Sequence, residues 1–252
     1  GVVNVVRSRP TGETGGKFKL TVGDFGQQEA RGVFNTSLGE NIALKLFGTK
    51  IDGDGFMDNI TTGNGVGEKD YFNVGATFLI NPTDDFEARL TVETFSDEGT
   101  LNTFHTNYNT PAGLLPAPPA GSPENNYNGG FVTCNVFGAC RDSLDRPEVS
   151  DNDKDNNYSL DTNALTLNMT LDLDENLTVV SVTGYREVDE YRIYDYDASS
   201  HPFITIERFN EYDQVSQELR IDGNFDRLTF TAGLYYFKNE FEQDWYTGDT
   251  FW

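Results

Sequence analysis

The stretch "ALTLNMTLDLDENLTVVSVTGYR" occupies residues 164–186. Its first half sets Leu165, Leu167, Met169, Leu171 and Leu173 on one side of an extended chain. Ala164, Thr166, Asn168, Thr170 and Asp172 fall on the other. A period of two residues marks a strand with one apolar face. "DLDEN" at 172–176 reads as a tight turn, and 177–186 reads as a returning strand whose facing the pattern leaves ambiguous.

The same alternation extends outward in both directions. Towards the N-terminus it appears at 17–22, 28–38, 42–47, 71–80 and 86–93, and towards the C-terminus at 215–222 and 228–237. That makes about nine strands and no helix. Several run to about 9–12 residues, longer than the 5–6 usual in globular sheets. Three further short connections, "LGEN" (38–41), "NPTDD" (81–85) and "GNFDR" (223–227), join "DLDEN" and alternate with long ones at 51–70, 96–158 and 190–212. The first connection, "GDFG" at 23–26, is short where a long one was open to it. In an up-and-down sheet, alternate connections lie at opposite ends. One end therefore carries tight turns and the other long loops, as in an outer-membrane barrel. A soluble sandwich gives no reason for that sorting.

Composition agrees. Of 252 residues only 37% are hydrophobic, against roughly 45–50% in globular domains. Aromatics compensate, with 19 Phe and 12 Tyr, and they gather near strand ends, where the interface between lipid and water favours them. A net charge of −23 excludes nucleic acid as a partner, since that requires a basic footprint. No apolar run reaches the ~18 residues of a membrane helix, which says nothing of strands. The apolar start at Gly1 reads as the interior of a longer protein.

Candidate sites are sparse. No spacing suits a nucleophilic triad or a metalloprotease, and the chain is not expected to be an enzyme or to carry a cofactor. The Tyr/Asp alternation within 190–212 offers Tyr191, Tyr194, Tyr196 and His201 for stacking on a ligand, with Asp195 and Asp197 as acceptors. Lys45, Arg89, Glu93, Glu218 and Arg220 are expected on the wet face; pairing across strands competes with ligand contact there. Asp151, Asp153 and Asp155 have the first three spacings of a calcium loop, but Asn156 and Thr162 stand where Gly and Glu are expected. Cys134 and Cys140 suit a small disulfide or two free thiols.

Residues 1–59 add a likeness. An apolar "GVVNVV", then Arg7-Ser8-Arg9-Pro10, Gly15-Gly16 and "DGDGFMDN" at 52–59 resemble the plug-to-barrel junction of TonB-dependent outer-membrane receptors. "VTGYRE" (182–187), "SQELRI" (216–221) and "AGLYYF" (232–237) resemble further strands of that family. The resemblance implies residues 1–10 as the end of the plug, 11–14 as a linker and 15–252 as the first part of a barrel. It implies an all-β, antiparallel, incomplete transmembrane barrel in a bacterial outer membrane, in contact with lipid and lipopolysaccharide. It further implies the rest of the plug and barrel as intramolecular partners, an inner-membrane TonB complex reached through the plug, and import of a scarce ferric siderophore, cobalamin or oligosaccharide. The competing expectation is a soluble extracellular β-sandwich for binding or adhesion, in which a second sheet would cover the apolar faces.

Overall fold

The structure is a computed structural model and describes residues 7–59, 61–100, 149–150, 153–196, 202 and 204–249. Its strands are β1 (Gly15–Val22), β2 (Gln28–Ser37), β3 (Ile42–Gly53), β4 (Met57–Asn59), β5 (Gly65–Val66), β6 (Lys69–Thr83), β7 (Phe86–Asp97), β8 (Val149–Ser150), β9 (Tyr158–Asp174), β10 (Leu177–Asp195), β11 (Thr205–Phe225) and β12 (Leu228–Gly248). Nine of them form one sheet in the order β1-β2-β3-β6-β7-β9-β10-β11-β12. Each is antiparallel to its neighbours. β4, β5 and β8 form a small second sheet. The large sheet is not closed, and β1 and β12 are its two edges.

Registered partners on adjacent strands point to the same side, so the ladder sorts side chains into two faces. One row runs Leu44, Phe78, Leu90, Leu167, Thr183, Gln217. The row on the opposite face runs Lys45, Thr77, Thr91, Thr166, Gly184, Ser216. We call the second face inner, because residues 7–10 lie on it. The ladder also resolves the facing of β10: Val179, Ser181, Thr183 and Tyr185 point outward, while Val180, Val182, Gly184 and Arg186 point inward.

Among the described residues no layer of protein covers the outer face. Strands of the large sheet contact essentially only their ladder neighbours. Phe18 is 70% exposed, Val22 81% and Leu234 78%, while Leu167 and Phe230 are half-buried by neighbours in their own sheet. Buried apolar residues among those described are few: Ile51, Met57, Val66, Ala88, Tyr194 and Ile206. A sandwich of this length buries the inner faces of two sheets, so the sandwich expectation fails. The polar side chains within the outer band satisfy one another. Thr183 Oγ1 donates to Gln217 Oε1 at 2.5 Å, and Gln217 Nε2 donates to Ser181 Oγ at 2.9 Å and to the Glu218 carbonyl at 2.8 Å.

All the tight turns lie at one end. The other end carries the five-residue connection at 23–27 and the longer ones at 54–68, 98–157 and 196–204. These loops are shorter than the expected 51–70, 96–158 and 190–212, because the strands continue beyond the apolar stretch. β11 and β12 have 21 residues each, about twice what crosses a hydrocarbon layer. Above the apolar band both faces become polar, as in Glu187, Asp189 and Glu211 outward and Glu190, Arg192 and Asn210 inward. The alternation of oily and polar residues then disappears although the ladder does not. At the short connection, Phe25 (φ 57°) and Gly26 (φ 63°) are both left-handed. A Cβ on Gly26 would meet only the carboxylate end of the Asp54 side chain, which can turn away, so it is the left-handed backbone that favours glycine there.

Candidate functional site

Two groups of side chains stand on the inner face. The upper one is built by β9 to β12 above the apolar band. Arg208 stacks with its guanidinium 4.0 Å from the Trp245 ring centroid and 5.8 Å from that of Tyr194. Tyr194 and Tyr196 have centroids 6.5 Å apart. Beside them, Arg192 pairs with Glu190 and lies 5.2 Å over the Tyr158 ring. Asn210 Nδ2 donates to Glu190 Oε2 at 2.5 Å, and Gln243 Nε2 donates to Asn210 Oδ1 at 2.6 Å. Rings, cations and amides on one wall suit a ligand with both flat and polar surfaces.

The lower group lies where residues 7–10 cross the wall. Arg7 Nη2 donates to Glu93 Oε1 at 2.8 Å and sits 2.6 Å from Oε2. Arg9 pairs with Glu87. Lys45, only 5% exposed, donates from Nζ to the Ser8 carbonyl and, at 3.1 Å, to Ser8 Oγ. The Phe47 ring lies under Arg7 at 5.4 Å and occupies the space a side chain at 75 would need: a Cβ on Gly75 would meet Phe47 Cζ at 2.4 Å. A cavity of about 270 Å³ remains, bounded by Arg7, Ser8, Thr77, Arg89, Thr91, Glu93, Thr166 and Asn168.

The residues singled out from sequence are distributed unevenly over this geometry. Lys45, Arg89 and Glu93 stand together around the lower cavity or beside it. Glu218 and Arg220 are on the same face but pair with each other at 2.6 Å, and Arg220 also bonds Asp222 at 3.0 Å. Tyr191, Tyr194 and Asp195 belong to strand β10 and not to a loop, because the Tyr/Asp alternation there is itself the two-residue period of a strand. Tyr194 and Tyr196 are inward, whereas Tyr191 faces outward against Phe209 at 4.7 Å. Asp195 is 0% exposed and accepts the Asp153 amide at 3.2 Å, so it is sealed from a ligand.

Asp155 accepts from Thr62 Oγ1 and Asn64 Nδ2 at 2.5 Å and from Asn59 Nδ2 at 3.3 Å. Among the described residues no group of three acidic, histidine or cysteine side chains is placed to hold a metal ion. Asp151, Asp197, His201, Cys134 and Cys140 lie outside the described residues. Arg208, Trp245, Arg7 and Arg9 were not singled out as site residues. The parity of 194, 208 and 245 places the upper group on one face only once the register is known.

The class of fold is that of a segment of TonB-dependent receptor barrels, which the nine-stranded sheet matches over nearly its whole length. The particular structures it resembles include the ferric yersiniabactin uptake receptor FyuA of Yersinia pestis, at TM-score 0.68 and 13% identity over 95% of this chain and 33% of that one. The ferric preacinetobactin receptor BauA of Acinetobacter baumannii matches at TM-score 0.65 and 14% identity, over 96% and 32%. The copper transporter OprC matches at 0.58 and 14%, over 94% and 30%. The chain thus spans about a third of the length of these structures. No family model and no curated protein sequence matches it.

Proposed function

We propose that this chain is part of the wall of a TonB-dependent active transporter in a bacterial outer membrane. The observation that carries the reading is the single-layer sheet: apolar and uncovered on one face, polar and charged on the other, with its longer loops at one end. Lipid offers no hydrogen-bond partners, so every backbone group at that depth must be paired along the ladder, and the open edges at β1 and β12 require further strands. Residues 7–10 cross the inner face, which supports their reading as the end of a plug that fills the lumen. The substrate class that the resembling structures favour is a metal or metal chelate, because they are receptors for ferric yersiniabactin and ferric preacinetobactin and a copper transporter. In the upper group the exposed Trp245 ring and the Arg208 guanidinium, which the buried Tyr194 backs at 5.8 Å, supply the stacking and cationic surface for such a ligand.

The test is uptake by the full-length protein that carries this chain. Cells expressing it should accumulate a radiolabelled ferric chelate under iron limitation, and should lose that accumulation when TonB is deleted. Recovery of the protein in the soluble fraction, or panels of ferric, copper and cobalamin ligands all taken up equally without TonB, would overturn the proposal.

A further inference from the structure

We propose that the cavity beneath residues 7 and 8 binds a small oxyanion, the phosphate, sulfate or carboxylate class, with Arg89 as the cation of its lining that is unpaired among the described residues and Lys45 adding positive charge from behind Ser8. From the preceding reading it needs only that the inner face is wet.

The first reason is local charge. The chain carries −23 overall, yet this patch is cationic once its pairs are assigned. Arg7 engages Glu93 and Arg9 engages Glu87, so the strap occupies both carboxylates of β7's inner face at this height. Lys45 is nine-tenths buried, and among the described residues its ammonium meets neutral groups, the carbonyl and hydroxyl of Ser8 and the Phe47 ring at 5.7 Å. Arg89 is half-buried and has no carboxylate partner among the described residues. Arg7 and Arg89 both act on Lys45 as like charges. Buried charge without a counter-charge is costly, and an anion held beside Arg89 in the cavity lowers that cost.

The second reason is the neutral lining. Thr77 and Thr91 share a hydrogen bond at 3.1 Å. Two hydroxyls carry two hydrogens, so one remains to donate. Thr166 and Asn168 continue the wall with a hydroxyl and an amide that make no side-chain hydrogen bond among the described residues. A planar guanidinium beside rotatable hydroxyls is the donor set that recognises phosphate or carboxylate oxygens.

The third reason is size. About 270 Å³ holds a tetrahedral oxyanion with several waters at about 30 Å³ each. Roofed by residues 7 and 8, it does not admit a polypeptide strand.

Inorganic phosphate is the probe, titrated into the full-length protein in detergent and followed by calorimetry and ³¹P line broadening, with sulfate and acetate as competitors. Phosphate should bind in the millimolar range. Arg89→Gln and, separately, Asn168→Asp should each weaken it by about tenfold or more, the scale of one charge-assisted hydrogen bond. Lys238→Gln, on the outer face, should leave it unchanged. Heat-modifiable mobility on gels reports barrel integrity for every variant, and uptake is scored separately, so lost transport with retained phosphate binding counts only against the transport reading. Three results would overturn the site: a wild type silent to tens of millimolar, wild-type affinity retained in Arg89→Gln or in Asn168→Asp, or a carboxylate of the preceding polypeptide found in the cavity.

Discussion

Asp155 shows what one side chain does at the loop end. Its two oxygens collect Asn59, Thr62 and Asn64 and thereby staple residues 54–68 to the start of β9, 91 to 96 positions further along the chain. Hydrogen bonds to a charged acceptor contribute about 1.5–3 kcal/mol each, less where solvent reaches them. Asp155→Ala should therefore speed amide exchange in residues 61–66 by an order of magnitude or more, about 1.4 kcal/mol per tenfold, while the nine-stranded ladder keeps its protection. Equal exchange in variant and wild type would show that the staple holds nothing. On the inner wall, Tyr194 and Trp245 flank Arg208. Replacing Trp245 by Ala in the full-length protein should weaken chelate binding about two- to fivefold, since a cation–π contact at an exposed ring contributes roughly 0.5–1 kcal/mol. Surface abundance should not fall, and direct binding to whole cells measures both.

At the scale of the strand, the two faces answer differently to the same substitution. Met169 points outward in the apolar band and Thr170, its neighbour, points inward. Arginine at an outward position in mid-bilayer costs about 2–4 kcal/mol. Met169→Arg should lower stability in vesicles by that amount, and Thr170→Arg by much less, read by urea titration of the full-length barrel. Equal losses would mean that both faces meet the same solvent. The same contrast explains what could be read from sequence. Where one face is oily, as at 42–47 or 164–173, alternation locates the strand and its turn-side end to within a residue, while the loop-side end runs six residues further. Where both faces are wet, as in β10 beyond Tyr185 and β11 before Val215, the ladder continues without any apolar period, and the sequence of a strand reads like that of a loop. The valines of 177–186 left facing undecided because Val180 and Val182 are apolar on the inner side. Of the site, Lys45, Arg89 and Glu93 were legible as alternating polar residues. Their grouping with Arg7 and Arg9 was not, since it depends on a crossing from residues 7–9 to strands more than seventy positions away.

As a whole molecule this is a wall with two free edges. Unpaired edges invite association with any other strand, so the isolated chain should aggregate without detergent and should show no stable unit conductance in planar bilayers. Discrete, lasting channels from these 252 residues alone would mean that the sheet closes by itself. The central claim is that the outer face meets hydrocarbon and the inner face meets water. Single nitroxide labels at successive positions 165–171 of the full-length protein in vesicles test it most directly, by accessibility to oxygen against a water-soluble nickel chelate. Oxygen accessibility should peak at 165, 167, 169 and 171, and nickel accessibility at 166, 168 and 170. Odd positions shielded from both reagents, or open to nickel, would contradict a wall facing lipid.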